Sequence, residues 1–468
     1  MVIKKIMTFS KILRTLLGFA LLFCFDASAQ EGSAVSLKEL WESIEQSYSG
    51  IKAKEAKVQA ANLELDVVKG SNLPQLKFQA QNTYGSFVGS SGGFFPQSGF
   101  FNVSGNGPAL NGVSHTANNF ASGVVEWEVF SFGRTTQERQ AAVASHALSQ
   151  SELDAYLLGL KSELSNRYID LLYSQSKESL SNRNVARLDS IRLITQSLSG
   201  AGLSPAADSL LASSSFIQAS GELDKWHGQR EASIIKIEEL AGTKVGGDFR
   251  TAESTFLSPS SGASTLKSDD TFIHPVLQAI QQESEIFELN SKVERLGALP
   301  SVKVLGGYSM RSSGIHSDGN ASSQWSDGFN NLANNWLIGL GVTWNFTSLY
   351  TNKAKAAQYD RKAESARFTY QQQHDAIHAG KASLLAKIDK QLQQVNKSKV
   401  SVDQSTDAYS MYLARYKSGL ISLGELLQIQ GLLEQAESNL ITASRDYWRL
   451  MSQYAALESD YSYMFNHL

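Results

Sequence analysis

A single cysteine occurs in 468 residues, and prolines number seven. Cys24 lies in the first 29 residues, a segment with Lys4, Lys5, Lys11 and Arg14, an apolar run from Thr15 to Phe25, and Ala27-Ser28-Ala29. That order of basic, apolar and small residues is a secretory signal peptide cut before Gln30. Lipidation of Cys24 is the alternative, opposed by Phe23 in front of it, where a small residue is expected. A mature chain without cysteine has no disulfide scaffold, no cysteine–zinc site and no thiol nucleophile. Basic excess is missing too. Without the signal, 38 basic residues face 44 acidic ones, which argues against nucleic acid, whose phosphates need clustered Lys and Arg. No run reaches the ~18 apolar residues of a membrane-spanning helix.

What is present is a repeat. Pro74 and Lys77 match Pro300 and Lys303 at an offset of 226, as Ile51 and Ala53 match Leu277 and Ala279. Trp127 matches Trp344 at an offset of 217, which also pairs Gly202-Leu203 with Gly419-Leu420 and Asp208 with Glu425. The repeats are read as 30–241 and 271–468, joined by a polar linker over 242–270.

Each half offers two strands: 75–85 and 120–132, then 302–311 and 336–346. In the last, Trp336, Ile338, Leu340, Val342, Trp344 and Phe346 share one face, with Leu337, Gly339, Gly341, Thr343 and Asn345 opposite. About ten residues, apolar on one side and polar or small on the other, with aromatics toward the ends, describe a transmembrane β-strand. A soluble antiparallel sheet with one wet face is the competing reading. The connections 86–117 and 311–335 are rich in Gly, Ser and Asn and read as long extracellular loops. Phe94, Phe95, Phe100 and Phe101 in the first have no assigned role.

The rest is helical: 37–70, 134–199, 203–241, a helix opening the second half, 350–418 and 420–465. Leu153, Leu157, Leu160, Leu164, Tyr168 and Leu171 alternate steps of four and three, a coiled-coil spacing. Gly202 ends one long helix, with Ser204 and Pro205 as N-cap and first residue of the next. Gly419 and Ser422 play the same parts in the second half. Four strands cannot close, and lipid leaves no backbone edge unsatisfied. A membrane barrel would therefore need several chains, with the helices extending it into a duct.

Glu126 through Arg134 (Glu-Trp-Glu-Val-Phe-Ser-Phe-Gly-Arg), Tyr416-Lys417-Ser418-Gly419-Leu420 and Glu425-Leu426-Leu427 resemble the strand-to-helix junction and helical turn of the outer-membrane efflux protein (TolC) family, over about residues 36–465. The resemblance implies a mixed α and β membrane fold. A homotrimer would form a twelve-stranded transmembrane β-barrel, four strands per chain, continued by a long α-helical coiled-coil periplasmic barrel. It also implies an exit duct for a tripartite efflux pump, docked to a periplasmic adaptor (membrane fusion) protein and an inner-membrane transporter. A type I protein secretion duct and a non-conducting trimeric coiled-coil surface protein are the alternatives. Family position places Glu425, with Asp208, at the periplasmic aperture. Gln428 stands where many members have a second acid. Gly202, Leu203, Gly419 and Leu420 become the adaptor-docking turns. Glu425 has a second reading as the acid of a capping box with Ser422, and Asp208 as a first-turn acid. Trp127, Trp336, Trp344 and Phe346 are expected at the lipid or its interface. His374 and His378 are spaced like part of a zinc motif, but with Asp375 for the usual Glu they read as a pair on an exposed helix. No catalytic, metal or cofactor constellation is expected.

Overall fold

The computed structural model describes residues 36–85, 115–242, 244, 250–259, 274–315 and 320–468. The signal peptide with Cys24, the four first-loop phenylalanines and most of the linker lie outside them.

The elements run α1 (Leu37–Ser47), α2 (Ser49–Ser71), β1 (Gln75–Gly85), β2 (Thr116–Phe130), α3 (Arg134–Gly200), α4 (Ala206–Ala241) and α5 (Arg250–Leu257). The second half gives α6 (Pro275–Gly297), β3 (Ser301–Ser313), a 3-10 turn (Trp325–Phe329), β4 (Ala333–Thr343), α7 (Ser348–Lys417), α8 (Leu423–Glu458) and α9 (Ser462–His467). At ~1.5 Å per residue, α3 and α7, with 67 and 70 residues, are each about 100 Å long.

Several expected boundaries are corrected. The helix expected over 37–70 breaks at Tyr48, whose backbone is extended. The last helix breaks at Ser459, which adopts φ 60°, and α9 restarts after Asp460 accepts from the Ser462 N–H at 2.8 Å. β2 starts earlier than expected and ends at Phe130, because Phe132 and Gly133 take positive φ of 51° and 88° and turn the chain into α3. β4 begins at Ala333 and stops at Thr343, so Trp344 and Phe346 belong to the turn into α7. Part of the expected linker is helix α5: Phe256 is fully buried and its carbonyl accepts the Trp448 indole N–H at 3.0 Å. Its large apolar residues, Phe256 and Leu257, sit together at one end of an otherwise polar stretch and gave no periodic signal.

The described residues divide into two compact units, neither of which coincides with one sequence half. Those of Met1–Ile51, Tyr156–Phe272 and Ile377–Leu468 form a helical unit, and those of Lys52–Ala155 and Ile273–Ala376 a sheet unit. The helical unit has two cores. One gathers Trp41, Tyr168, Ile237, Phe256, Tyr447 and Trp448. The other joins Leu188 and Ile191 of α3, Ala212 of α4, Tyr416 of α7, and Leu423 and Leu426 of α8. Most of the stripe read from sequence is buried: Leu160, Leu164, Tyr168 and Leu171 are at most 4% exposed, and Leu157 is half-buried.

In the sheet unit the strands pair antiparallel in the order β1-β2-β3-β4. The register decides the faces. Leu76 pairs with Val125, Phe78 with Gly123 and Ala80 with Ala121. Trp127 pairs with Val304 and Gly123 with Tyr308, and Tyr308 with Trp336, Val304 with Leu340 and Val302 with Val342. Directly paired residues share a face, so all these apolar side chains form one continuous surface. A bulge between Glu128 and Phe130 sets Phe130 opposite Val302, so Phe130 stands on this face where strict alternation from Trp127 would put Val129. The opposite face carries Lys77, Glu126 and Lys303. Lys303 Nζ lies 2.6 Å and Lys77 Nζ 3.5 Å from the Glu126 carboxylate.

The repeat has a physical signature. Trp127 donates its indole N–H to the Asn72 carbonyl and Trp344 to the Ala298 carbonyl, both at 3.0 Å. The tryptophans are related by the offset of 217 and the acceptors by the offset of 226. In each half the bond ties a strand's helix-side end to the end of the preceding helix. Trp127→Phe and Trp344→Phe should each lower stability by about 0.5–1 kcal/mol, the net value of a solvent-accessible hydrogen bond. Matched shifts in urea-unfolding midpoint are the expected result.

Candidate functional site

The helical unit carries the paired turns. Gly202 and Gly419 both adopt φ 72°, a left-handed conformation open to glycine without a Cβ penalty. Leu203 N–H bonds to the Leu198 carbonyl at 2.9 Å and Gly202 N–H to that of Ser199 at 3.0 Å. Leu420 and Gly419 repeat this with Arg415 and Tyr416 at 3.0 and 2.9 Å. These are two Schellman motifs, which satisfy the orphan carbonyls at the ends of α3 and α7. Their leucines point outward: Leu203 is 76% and Leu420 72% exposed. The second core brings together the four helix ends that bear the two turns.

The next helices begin differently. Ser422 caps α8: its Oγ accepts the Glu425 N–H at 3.3 Å, and its own N–H donates to the Glu425 carboxylate at 2.8 Å. The capping-box reading of Glu425 is what the structure shows. The Ser422 backbone N–H first, and then the Ser422 hydroxyl, which donates to the same carboxylate at 2.8 Å, hold the Glu425 carboxyl below the usual carboxylate range. In the first half the expectation is corrected. Pro205, not Ser204, is the N-cap of α4 and offers no side-chain bond. The Ser204 hydroxyl is buried without a hydrogen-bond partner. Proline has no N–H to give to an acid three residues on, so Asp208, at the position equivalent to Glu425, has no box to close. Gln428 is exposed, one turn into α8.

Between α3 and α8, Arg187 grips Glu437 with two bonds of 2.6 and 2.8 Å. Arg183 approaches the same carboxylate at 3.4 Å, and Gln430 donates to Asn184. Sequence reading missed this cluster, since partners about 250 positions apart carry no local pattern.

In the sheet unit, Trp336 is 78% exposed on the apolar face, and Trp127 shares that face. Trp344 and Phe346 meet with tilted rings, centroids 4.4 Å apart, beyond the strand end. His374 stacks on Tyr370 at 6.1 Å and lies 3.3 Å from Asp375. Among the described residues no group of three or more His, Cys, Asp or Glu side chains could hold a metal ion. Nor is any described helix long and apolar enough to cross a membrane.

A mostly helical chain with a four-stranded, one-sidedly apolar antiparallel sheet has the fold class of outer-membrane channels. Residues 41–243 and 274–451 match the outer membrane efflux protein family, and the chain belongs to that family. Its fold is shared by solved structures that include the following three. The outer-membrane channel OprN is 17% identical with a TM-score of 0.70, over 93% of this chain and 95% of that one. The outer membrane protein VceC of Vibrio cholerae is 14% identical with a TM-score of 0.71, over 91% and 97%. The open state of the Neisseria gonorrhoeae MtrE outer membrane channel is 14% identical with a TM-score of 0.68, over 92% and 94%. No curated protein matches the sequence.

Proposed function

We propose that this chain is the outer-membrane exit duct of a tripartite efflux pump. It acts as a passive homotrimeric channel that docks to a periplasmic adaptor and an inner-membrane transporter. The observation that carries the reading is the sheet. Four strands leave β1 and β4 as open edges, and the exposed apolar face holds Phe78, Trp336, Ile338 and Leu340, each at least 75% exposed. Such a face is stable against lipid, and lipid requires the edges to be paired. Three copies, edge to edge, give twelve strands, above the ~8 of the smallest barrels. The face bearing Lys77, Glu126 and Lys303 then lines water. A purified trimer should give discrete single-channel conductance in planar bilayers. A trimer that inserts and never conducts would overturn the reading.

The Glu425 carboxylates form the acidic ring of the aperture in this reading, and Gln428 adds no second charge. Glu425→Gln should reduce cation selectivity, read as a shift of reversal potential in a salt gradient toward the nonselective value. The capping box adds a pH dependence. A folded pKa held below the unfolded one contributes stability that is present above the unfolded pKa and lost as pH falls through the folded pKa. Acid should therefore destabilise the wild type slightly more than the Gln variant.

A further inference from the structure

The connection between β3 and β4 was expected to be an extracellular loop. Within it, a 3-10 turn packs on the apolar face of the sheet. Trp325 Nε1 donates to Asn82 Oδ1 at 3.0 Å, Asn119 Nδ2 donates to the Gly328 carbonyl at 2.8 Å, and the Tyr84 hydroxyl donates to the Ser323 carbonyl at 2.8 Å. Asn82 pairs with Asn119 and Tyr84 with Ala117. These positions continue the Leu76, Phe78, Ala80 side of β1, so the turn lies on the same face as Trp336 and Leu340. Gly328 is the closest point: a Cβ there would come within 2.5 Å of the Ala117 Cβ, and Ala117 is fully buried. The turn is held firm from within, with Ser322 Oγ donating to Asp327 at 2.6 Å and Thr116 Oγ1 to the Ser322 carbonyl at 2.8 Å.

The composition of the face changes where the turn sits. From Val302 to Met310 the β3 side chains on it are apolar or glycine, a run of about 27 Å at ~3.4 Å per residue. Tilted by ~40°, it covers about 21 Å of membrane thickness, close to the ~25 Å band of an outer-membrane barrel. Asn334 stands level with Met310; beyond it come Asn82, Asn119 and Ser312, and then the turn. The turn keeps large apolar groups uncovered: Trp325 is 55%, Phe329 56% and Leu332 58% exposed. Trp325 and Phe329 meet edge to face at 5.2 Å. A ring with its N–H bonded to protein and its carbon surface bare, at the edge of an apolar band, suits the boundary between headgroup and acyl chain.

We propose that this turn is a lipid-binding collar, with Trp325, Phe329 and Leu332 seated in the acyl-chain end of the outer-leaflet interface at the helix-distal rim. The occupant is membrane lipid because the patch stands on the same face as the lipid-facing band, one polar row (Asn82, Asn119, Ser312) beyond its end. The proposal rests on the membrane reading of the sheet, and its test separates the two. The trimer is reconstituted in phosphatidylcholine vesicles carrying bromines at acyl positions 6,7 or 11,12. Tryptophan quenching is then compared for wild type, Trp325→Phe and Trp336→Phe, so that each difference reports one indole. Trp325 should be quenched more by the 6,7 lipid than by the 11,12 lipid, and little by aqueous iodide. Quenching of Trp336 by lipid with Trp325 open to iodide would overturn the collar and leave the membrane reading standing. Trp325 silent to both, with Trp336 still quenched, would mean that a neighbouring copy covers it, which also overturns the collar. If lipid quenches neither indole, the membrane reading fails with it. Should Trp325→Phe fail to fold, Phe329→Trp on the wild-type background adds an indole to the same turn, and its added emission carries the same expectations.

Discussion

Arg187→Ala should cost about 3 kcal/mol of stability, measured as a lowered urea midpoint or melting temperature. The side chain of Glu437 is 9% exposed, and Arg187 holds both of its oxygens. Removing one partner of a buried pair leaves a charge that water cannot reach, at a cost of about 3–5 kcal/mol. The lower figure is expected because Arg183, at 3.4 Å, can move in. If the cost is the stranded charge, Arg187→Leu with Glu437→Leu should recover most of it, since replacing a whole buried pair by apolar groups is close to neutral. A double variant as unstable as the single one would show instead that the paired geometry itself stabilises the contact between α3 and α8.

Leu203→Asp combined with Leu420→Asp should abolish transport in cells while the purified trimer keeps its stability and conductance. Both leucines are more than 70% exposed, so neither holds the fold together. Neither needs the left-handed conformation, which falls to Gly202 and Gly419. Their uncovered carbon surface is what an adaptor would bury, at roughly 1.5–3 kcal/mol per leucine, and each 1.4 kcal/mol is about tenfold in affinity. Substrate susceptibility of a complemented deletion strain measures the loss, and the paired Leu→Met variant should transport normally. Full transport by the aspartate variant would remove these turns from the docking surface.

Much of this architecture was legible in the sequence. Period-two alternation placed all four strands, because one face must be apolar and a slip of one residue would reverse it. The 4-3 spacing and lack of proline placed the long helices. The Gly-Leu turns were visible because a left-handed residue at a helix end is written as glycine. What escaped was set by contacts distant in sequence or by geometry at the ends of elements. Phe132 gave no warning of its positive φ. Ser204 next to Pro205 read as a cap until the backbone put proline in that place. The Arg187–Glu437 pair and the seat of Trp325 on Asn82 join residues about 250 positions apart. Trp325 in particular lies in a Gly/Ser/Asn-rich stretch that reads only as loop.

The uncapped start of α4 bears on the symmetry of the assembly. In the proposed trimer, a duplicated chain repeated three times would bring six nearly equivalent helix starts around one axis. Had both halves kept the serine, six carboxylates would be held alike, and a cation at the centre would meet a six-fold field. With Pro205 in one half and Ser422 in the other, three acids are pinned by their own helix and three are free to swing. In that trimer the order of the axis would drop from six to three at that level, and one imino acid would separate a fixed set of charges from a movable one.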